Sequence, residues 1–165
     1  MHRRLGASDA VILSVQGNLA SIYQMRGRDE ALPMRRTVYF GTLKLFGEEH
    51  ITTLREATSY AVFLKRLKYF EEAKLLLRKK LPVARRAVGE SDSITLTMRW
   101  VYAEALYKDA DATRDDLRES VTTLEETERA ARRVFGGAHP TSVAIESHLR
   151  DSRAALRARD TSRSL

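Results

Sequence analysis

Apolar residues recur along this chain at steps of three and four, and the runs they form come in pairs separated by glycine-bearing phrases. In the first run Val11, Val15, Leu19, Ile22 and Tyr23 share one helical face, and Gly27 ends it. A second helix is predicted from near Asp29 to Phe46, with Pro33 in its first turn, where a missing N–H costs little. Leu54, Ala61 and Leu64 mark a third helix, and Phe70, Ala73, Leu77, Leu81, Ala84 and Val88 mark its partner. Leu96, Ala103 and Leu106 define a fifth. Leu117, Val121, Leu124 and Ala131 define a sixth, opened by Thr113 and Asp116 in a capping-box arrangement. A last helix is predicted over residues 140–159, its polar outer side suited to closing a stack, and the tail 160–165 is expected to fray. Pro82 falls inside the fourth helix and should bend it between Arg78 and Pro82.

The phrases between the pairs resemble one another. They read "LGASDAVIL" from Leu5, "LFGEEHITTL" from Leu45, "VGESDSITL" from Val88 and "FGGAHPTSV" from Phe135. Their glycines, Gly6, Gly47, Gly89 and Gly136, stand 41, 42 and 47 residues apart. The surplus in the third interval is assigned to a lengthened loop, "YKDADATRDD", at 107–116. Self-similarity at such a period is the signature of a solenoid. A glycine at positive φ ends one helix, an Asp or His caps the next, and a Leu or Val is its first buried residue. A single hairpin cannot bury its apolar stripe alone, so the unit must recur. The repeats expected are 5–46, 47–88 and 89–135, in one domain over 1–165.

Three segments resemble tetratricopeptide repeats. "NLASIYQMRGRDEA" at 18–31 carries Leu19, Ala20, Tyr23, Gly27 and Ala31, and "YAVFLKRLKYFEEA" at 60–73 carries Tyr60, Ala61, Leu64, Phe70 and Ala73. "YAEALY" at 102–107 is similar over a shorter span. The Gly47–Leu54 hinge and the long period look like the variant found in kinesin light chain. The resemblance implies an all-α, right-handed superhelical solenoid of antiparallel hairpins with about seven helices. It also implies that the first helices line a concave groove for a peptide or helix of a partner. Groove positions in that family often carry asparagine; Asn18 matches, whereas the equivalents are Ser59 and Val101. Other side chains the resemblance turns toward the groove are Gln24, Met25, Arg55, Lys65, Arg66, Trp100, Glu104, Tyr107 and Lys108. Arg55, Lys65 and Arg66 would favour an acidic partner, and Trp100 would be either an aromatic anchor or a packing residue.

Composition adds limits. The 165 residues are 43% hydrophobic and 31% charged, enough for one domain with a proper core, and only eight glycines and three prolines occur. No apolar run approaches the ~20 residues of a membrane span. The opening "MHRRLGASDAVILSV" is interrupted by Asp9 and shows no small-residue cleavage pattern, so a secretory leader is not expected. With no cysteine, a reducing setting, cytoplasmic or nuclear, is the default, and the cytoplasm is the expectation. The net charge of +7 is concentrated in residues 51–100, where eleven Lys/Arg face five Asp/Glu.

Catalysis is not expected. There is no phosphate-cradling glycine motif and no thiol, and the acidic pairs Glu71-Glu72, Asp115-Asp116 and Glu125-Glu126 read as helix-surface or first-turn residues. No metal or cofactor is expected: His50 and His139 occupy the hinge position that Asp9 and Asp92 fill elsewhere, which reads as helix capping, and His148 stands alone on the last helix. The strongest charge signal is the helix 74–86, with Lys74, Arg78, Lys79, Lys80, Arg85 and Arg86. It is either a solvated outer face or a site for RNA or another polyanion. The first helix opens directly on a hinge phrase, so it could expose apolar surface that another chain, or a longer array, covers.

Overall fold

The computed structural model describes residues 2–27 and 30–161, with the side chains of the first helix described from Ser8 onward. Seven helices follow one another: α1 His2–Met25, α2 Ala31–Phe46, α3 Ile51–Arg66, α4 Phe70–Ala87, α5 Ser93–Lys108, α6 Arg114–Phe135 and α7 Pro140–Thr161. Each packs on the next. The first helices of the hairpins also touch, α3 on α5 and α5 on α7, whereas no comparable packing links α2, α4 and α6. An inner layer held together and an outer layer spread apart make an all-α solenoid that curves with α3, α5 and α7 on its inner face.

Three hinges are built as their sequences dictate. Gly47, Gly89 and Gly136 take φ of 83°, 101° and 87°, a region that side-chain-bearing residues enter at a cost. Three residues on, His50 Nδ1 accepts from the Thr52 N–H at 3.2 Å, Asp92 Oδ1 from the Ile94 N–H at 2.8 Å, and His139 Nδ1 from the Thr141 N–H at 3.2 Å. His50 stacks on Phe46 and His139 on Phe135, with ring centroids 4.6 and 4.9 Å apart. A histidine thus does the work of Asp92 while covering the end of the preceding helix.

The fourth phrase is not a hinge. Gly6 and Asp9 lie inside the continuous helix α1, so Asp9 caps nothing. The phrase works as a hinge only where a helix precedes it, and here its residues extend the helix they were expected to open. The expected start of α2 near Asp29 lies outside the described residues. The helix is continuous from Ala31, with Pro33 in its first turn.

The core follows the sequence pattern from α2 onward. Leu54, Ala57, Ala61, Leu64, Ala73, Leu77, Ala84, Met98 and Leu106 are buried in one cluster, and Ala103, Leu124, Ala131, Ile145 and Leu149 form a second between α5, α6 and α7. Ser152 donates to Ser120 Oγ and Ser120 to the Ala103 carbonyl, both at 2.9 Å, so the polar atoms of this tight contact satisfy one another. The capping box is present: Asp116 N–H donates to Thr113 Oγ1 at 3.1 Å, and Thr113 N–H to the Asp116 carboxylate at 2.8 Å.

Three expectations are corrected. In α1 the predicted face is covered only at one edge: Val11, Val15 and Ile22 are 64%, 60% and 42% exposed and Leu19 and Tyr23 half-buried, while Gly17 and Ala20 are buried. This helix is apolar on both sides, so periodicity alone could not say which side α2 would cover. The surplus in the third repeat lies mainly in α6, which has 22 residues against 18 in α4. The α5–α6 loop is only residues 109–113. Separately, α4 includes Pro82 and runs on to Ala87, as the sequence pattern places it. Finally, α7 reaches Thr161, and Asp160 accepts from Arg114 at 2.7 Å, so the predicted frayed tail does not begin there; residues 162–165 lie outside the described part.

Candidate binding groove on the inner helix layer

Because α3, α5 and α7 lie side by side, residues some forty positions apart in sequence meet on the inner face. Lys65 at the end of α3 donates to Glu104 Oε2 of α5. Lys108, one turn further along α5, donates to Glu104 Oε1 at 2.6 Å, and His148 Nε2 of α7 stands 3.4 Å from the same oxygen. Tyr107 Oη lies 2.7 Å from His148 Nδ1, and the Trp100 ring centroid is 5.5 Å from the imidazole. The Glu104 side chain is only 3% exposed, so this network forms the floor of the groove.

The electrostatics follow from that burial. Desolvation pushes the Glu104 carboxyl upward, but hydrogen bonds from Lys108 and Lys65 outweigh it and hold the group below the ordinary range. His148 moves below its ordinary 6.5 because burial disfavours its cation, and Lys108 and Lys65 add to that, whereas Glu104 opposes it. Burial likewise raises the Tyr107 phenol. A neutral imidazole protonated at Nε2 accepts at Nδ1 from Tyr107 and turns its N–H toward Glu104, 3.4 Å away.

Two of the predicted groove residues are therefore corrected in role. Lys65 is not a free cation awaiting an acidic partner, because Glu104 already holds it. Glu104 is part of the floor, not an exposed contact. Trp100 combines the two alternatives offered by the sequence: it is half-buried against the second core cluster, and it borders His148. His148 is the residue the sequence hid, though a signal existed. It lies twelve residues after Gly136, as Asn18, Ser59 and Val101 lie twelve after Gly6, Gly47 and Gly89, so it is the fourth member of the row.

Toward α1 the groove opens. This helix packs on α2 without packing comparably on α3, and a polar cleft of about 440 Å³ is left between them, lined by Asn18, Ser59, Arg35 and Glu56 among others. Arg35 spans it, donating to Ser21 Oγ at 2.6 Å and to Glu56 at 3.4 Å. A second cavity of about 460 Å³ lies where the α1–α2 and α3–α4 turns meet, lined by Gln24, Leu32, Phe63, Arg66, Leu67 and Tyr69. Arg55 and Arg66 are exposed on α3, and among the described residues no carboxylate pairs with either. Met25, 76% exposed, belongs to the outer stripe of α1 and lines neither cavity.

The basic helix is neither free nor simply solvated. Lys74 and Lys80 are buried; Lys74 binds Glu71 and, at 3.1 Å, Asp109, while Lys80 binds Glu48 at 3.0 Å. For Lys74, burial lowers the ammonium pKa, but the bonds to Glu71 and Asp109 raise it further and leave it above its ordinary value. Arg85 binds Glu90 at 2.9 Å and Arg86 binds Glu49 at 3.4 Å. Arg78 donates to Tyr102 Oη at 2.7 Å and lies 3.7 Å from Glu119. Of the six, Lys79 alone has no such partner among the described residues. These cations tie α4 to both neighbouring hinges and to α5 and α6.

Among the described residues no helix is long and apolar enough to cross a membrane, and no three potential metal-binding side chains come together. Compared with known proteins, the chain matches no family model and no curated protein.

Proposed function

We propose that this protein is a non-catalytic, cytoplasmic interaction scaffold of the tetratricopeptide type, related to the kinesin-light-chain variant, which takes an acidic peptide or helix along its inner face. The observation that carries this reading is the charge balance of that face. On α3, Arg55 and Arg66 are exposed with no ion-pair partner among the described residues, whereas the carboxylates of this face are already held, Glu56 by Arg35 and Glu104 by Lys65 and Lys108. Arg55 and Arg66 lie eleven residues apart on one helix, about 16 Å along its axis, a spacing that several residues of an extended ligand would span. Trp100 and Tyr107, half-buried beside His148 between α5 and α7, supply aromatic surface of the kind interface anchors use.

The single tryptophan makes the test direct. Acidic, neutral and basic peptides of equal length are titrated against the purified chain while Trp100 fluorescence and peptide anisotropy are followed. Acidic peptides bind, and the Arg55→Glu/Arg66→Glu variant loses binding while its helicity is unchanged. Equal binding by that variant, or binding indifferent to peptide charge, overturns the proposal.

A further inference from the structure

We propose that α1 is the contact helix of a homodimer, its outer stripe packing against the same stripe of a second copy of this chain. Independently of the groove, the sequence repeats Val11, Val15, Asn18, Ile22 and Met25 at steps of four, three, four and three, a mean of 3.5 residues per turn. That spacing places these residues on one side of the helix, a straight stripe that a second helix can pack along. The side chains are in place for it: Val11, Val15, Ile22 and Met25 are 42–76% exposed, and Ile12 is 50% exposed beside a notch of about 350 Å³ that it forms with Leu13, Gly41 and Leu45, with Asp9 and Lys44 at its rim. An apolar helix face of this extent left in water calls for cover.

Complementarity within the chain selects the occupant. The last described helix, α7, exposes Arg150 and Arg157, with Arg153 between them bound to Glu125 at 2.7 Å. A head-to-tail stack of α1 on α7 would therefore lay an uncharged stripe over guanidinium groups and strip their water without return. Elsewhere among the described residues the exposed large apolar side chains, such as Phe40, Leu75 and Val143, belong to separate helices and form no comparable stripe. The surface that matches the α1 stripe is the α1 stripe itself, which makes the contact isologous. The stripe from Val11 to Met25 carries no charge, so two chains of net charge +7 can meet there without opposing like charges. Asn18 is its single polar position and lies at the edge of the stripe, where it also lines the cleft toward α3. The contact spans about 21 Å of helix, short for an interface, so the dimer is expected to be concentration-dependent.

Sedimentation equilibrium of the full chain over a concentration series should show reversible association from the chain mass to twice that mass. Val15→Glu should weaken association at least about tenfold with unchanged far-UV circular dichroism. A wild-type chain that is monomeric at every concentration overturns the proposal, as does a Val15→Glu variant that associates like wild type. A second measurement does not depend on tolerance of a buried charge. The chain has no cysteine, so Val15→Cys places one thiol in the seam and Arg153→Cys places one on α7 as a control. Mild oxidation should give a disulfide-linked dimer of the first and leave the second monomeric. Failure of the first to cross-link, or equal cross-linking of the second, rejects the contact.

Discussion

Lys65 of α3 donates to Glu104 of α5 across 39 positions of sequence, and Glu104, with its side chain 3% exposed, takes Lys108 on its other oxygen. A buried carboxylate between two ammonium groups is a conditional asset: whole, it orders the groove floor; broken, it leaves charge without compensation. Glu104→Ala is expected to lower stability by about 2–3 kcal/mol, less than a fully buried pair would lose because Lys108 is half in water and can turn away. Lys65→Met should cost less, since Lys108 still compensates the carboxylate. Urea melts of the two single variants and the double variant measure the coupling. Additive losses would show that Lys65 and Glu104 act separately.

The imidazole of His148 links this network to pH. Its folded pKa lies below the ordinary 6.5, so folding favours the neutral ring. The contribution is therefore complete above the unfolded value and is lost as pH falls from about 6.5 through the folded value. The groups facing the ring are Glu104, Lys65, Lys108, Tyr107 and Asp151, and of these only Glu104 and Asp151 favour its protonation. Thermal melts should show stability decreasing below pH 6.5 in the wild type, with a smaller decrease in His148→Gln. Trp100, 5.5 Å away, should report the same titration as a change in fluorescence. Identical pH profiles for wild type and variant would remove His148 from the explanation.

What the sequence revealed and what it hid divide along range. The hinges were legible because glycine, cap and first buried residue lie within eight positions, and Gly47 with His50 or Gly89 with Asp92 states its own local physics. Gly6 misled because a glycine is tolerated inside a 24-residue helix at about 1 kcal/mol, and nothing in the phrase itself reveals whether a helix precedes it. The groove row at Asn18, Ser59 and Val101 was visible from the repeat, and its fourth member His148 was obtainable from the same register. The partners of Lys65, Lys74 and Lys80 were not. Each meets a carboxylate 32–39 positions away, a distance set by how hairpins stack, which no local pattern encodes.

The cap position offers a comparison that separates histidine from aspartate. His50 and Asp92 do the same work at successive hinges, each accepting from the N–H two residues on. His50→Ala should cost about 1 kcal/mol, a typical loss for an N-cap. His50→Asp should restore the cap and add favourable charge at the N-terminus of α3, while forfeiting the stack on Phe46. Its stability is expected within about 0.5 kcal/mol of wild type. Denaturant midpoints of the pair decide this; equal losses for Ala and Asp would mean that stacking, not capping, holds the hinge.

The α3–α4 turn holds Lys68 at φ 64°, where the α1–α2 turn has Gly27 at φ 65°. A side chain in that region costs roughly 1–2 kcal/mol, and a glycine relieves it at an entropic cost of about 0.5–1 kcal/mol. Lys68→Gly should therefore raise stability by about 0.5–1 kcal/mol. Lys68 is exposed, with no charge partner among the described residues, so the change sacrifices no contact. A lower melting temperature for the variant would show that the left-handed residue is not strained.

The basic helix gives the sharpest contrast between a charge count and a surface. Lys79 and Lys80 are adjacent, yet Lys79 is exposed and unpaired, whereas Lys80 is buried and bound to Glu48 at 3.0 Å. If α4 were a polyanion site, alanine at either position would weaken retention on heparin or RNA, and the salt dependence would flatten in step. The ion pairs predict otherwise. Lys80→Ala should lower stability by about 1–2 kcal/mol, discounted for the half-exposed Glu48, and leave polyanion retention as it was. Lys79→Ala should leave stability within about 0.5 kcal/mol and alter only weak, salt-sensitive retention. Strong retention abolished by Lys80→Ala at unchanged stability would place a nucleic-acid partner on the outer face and take the acidic-peptide groove out of first place.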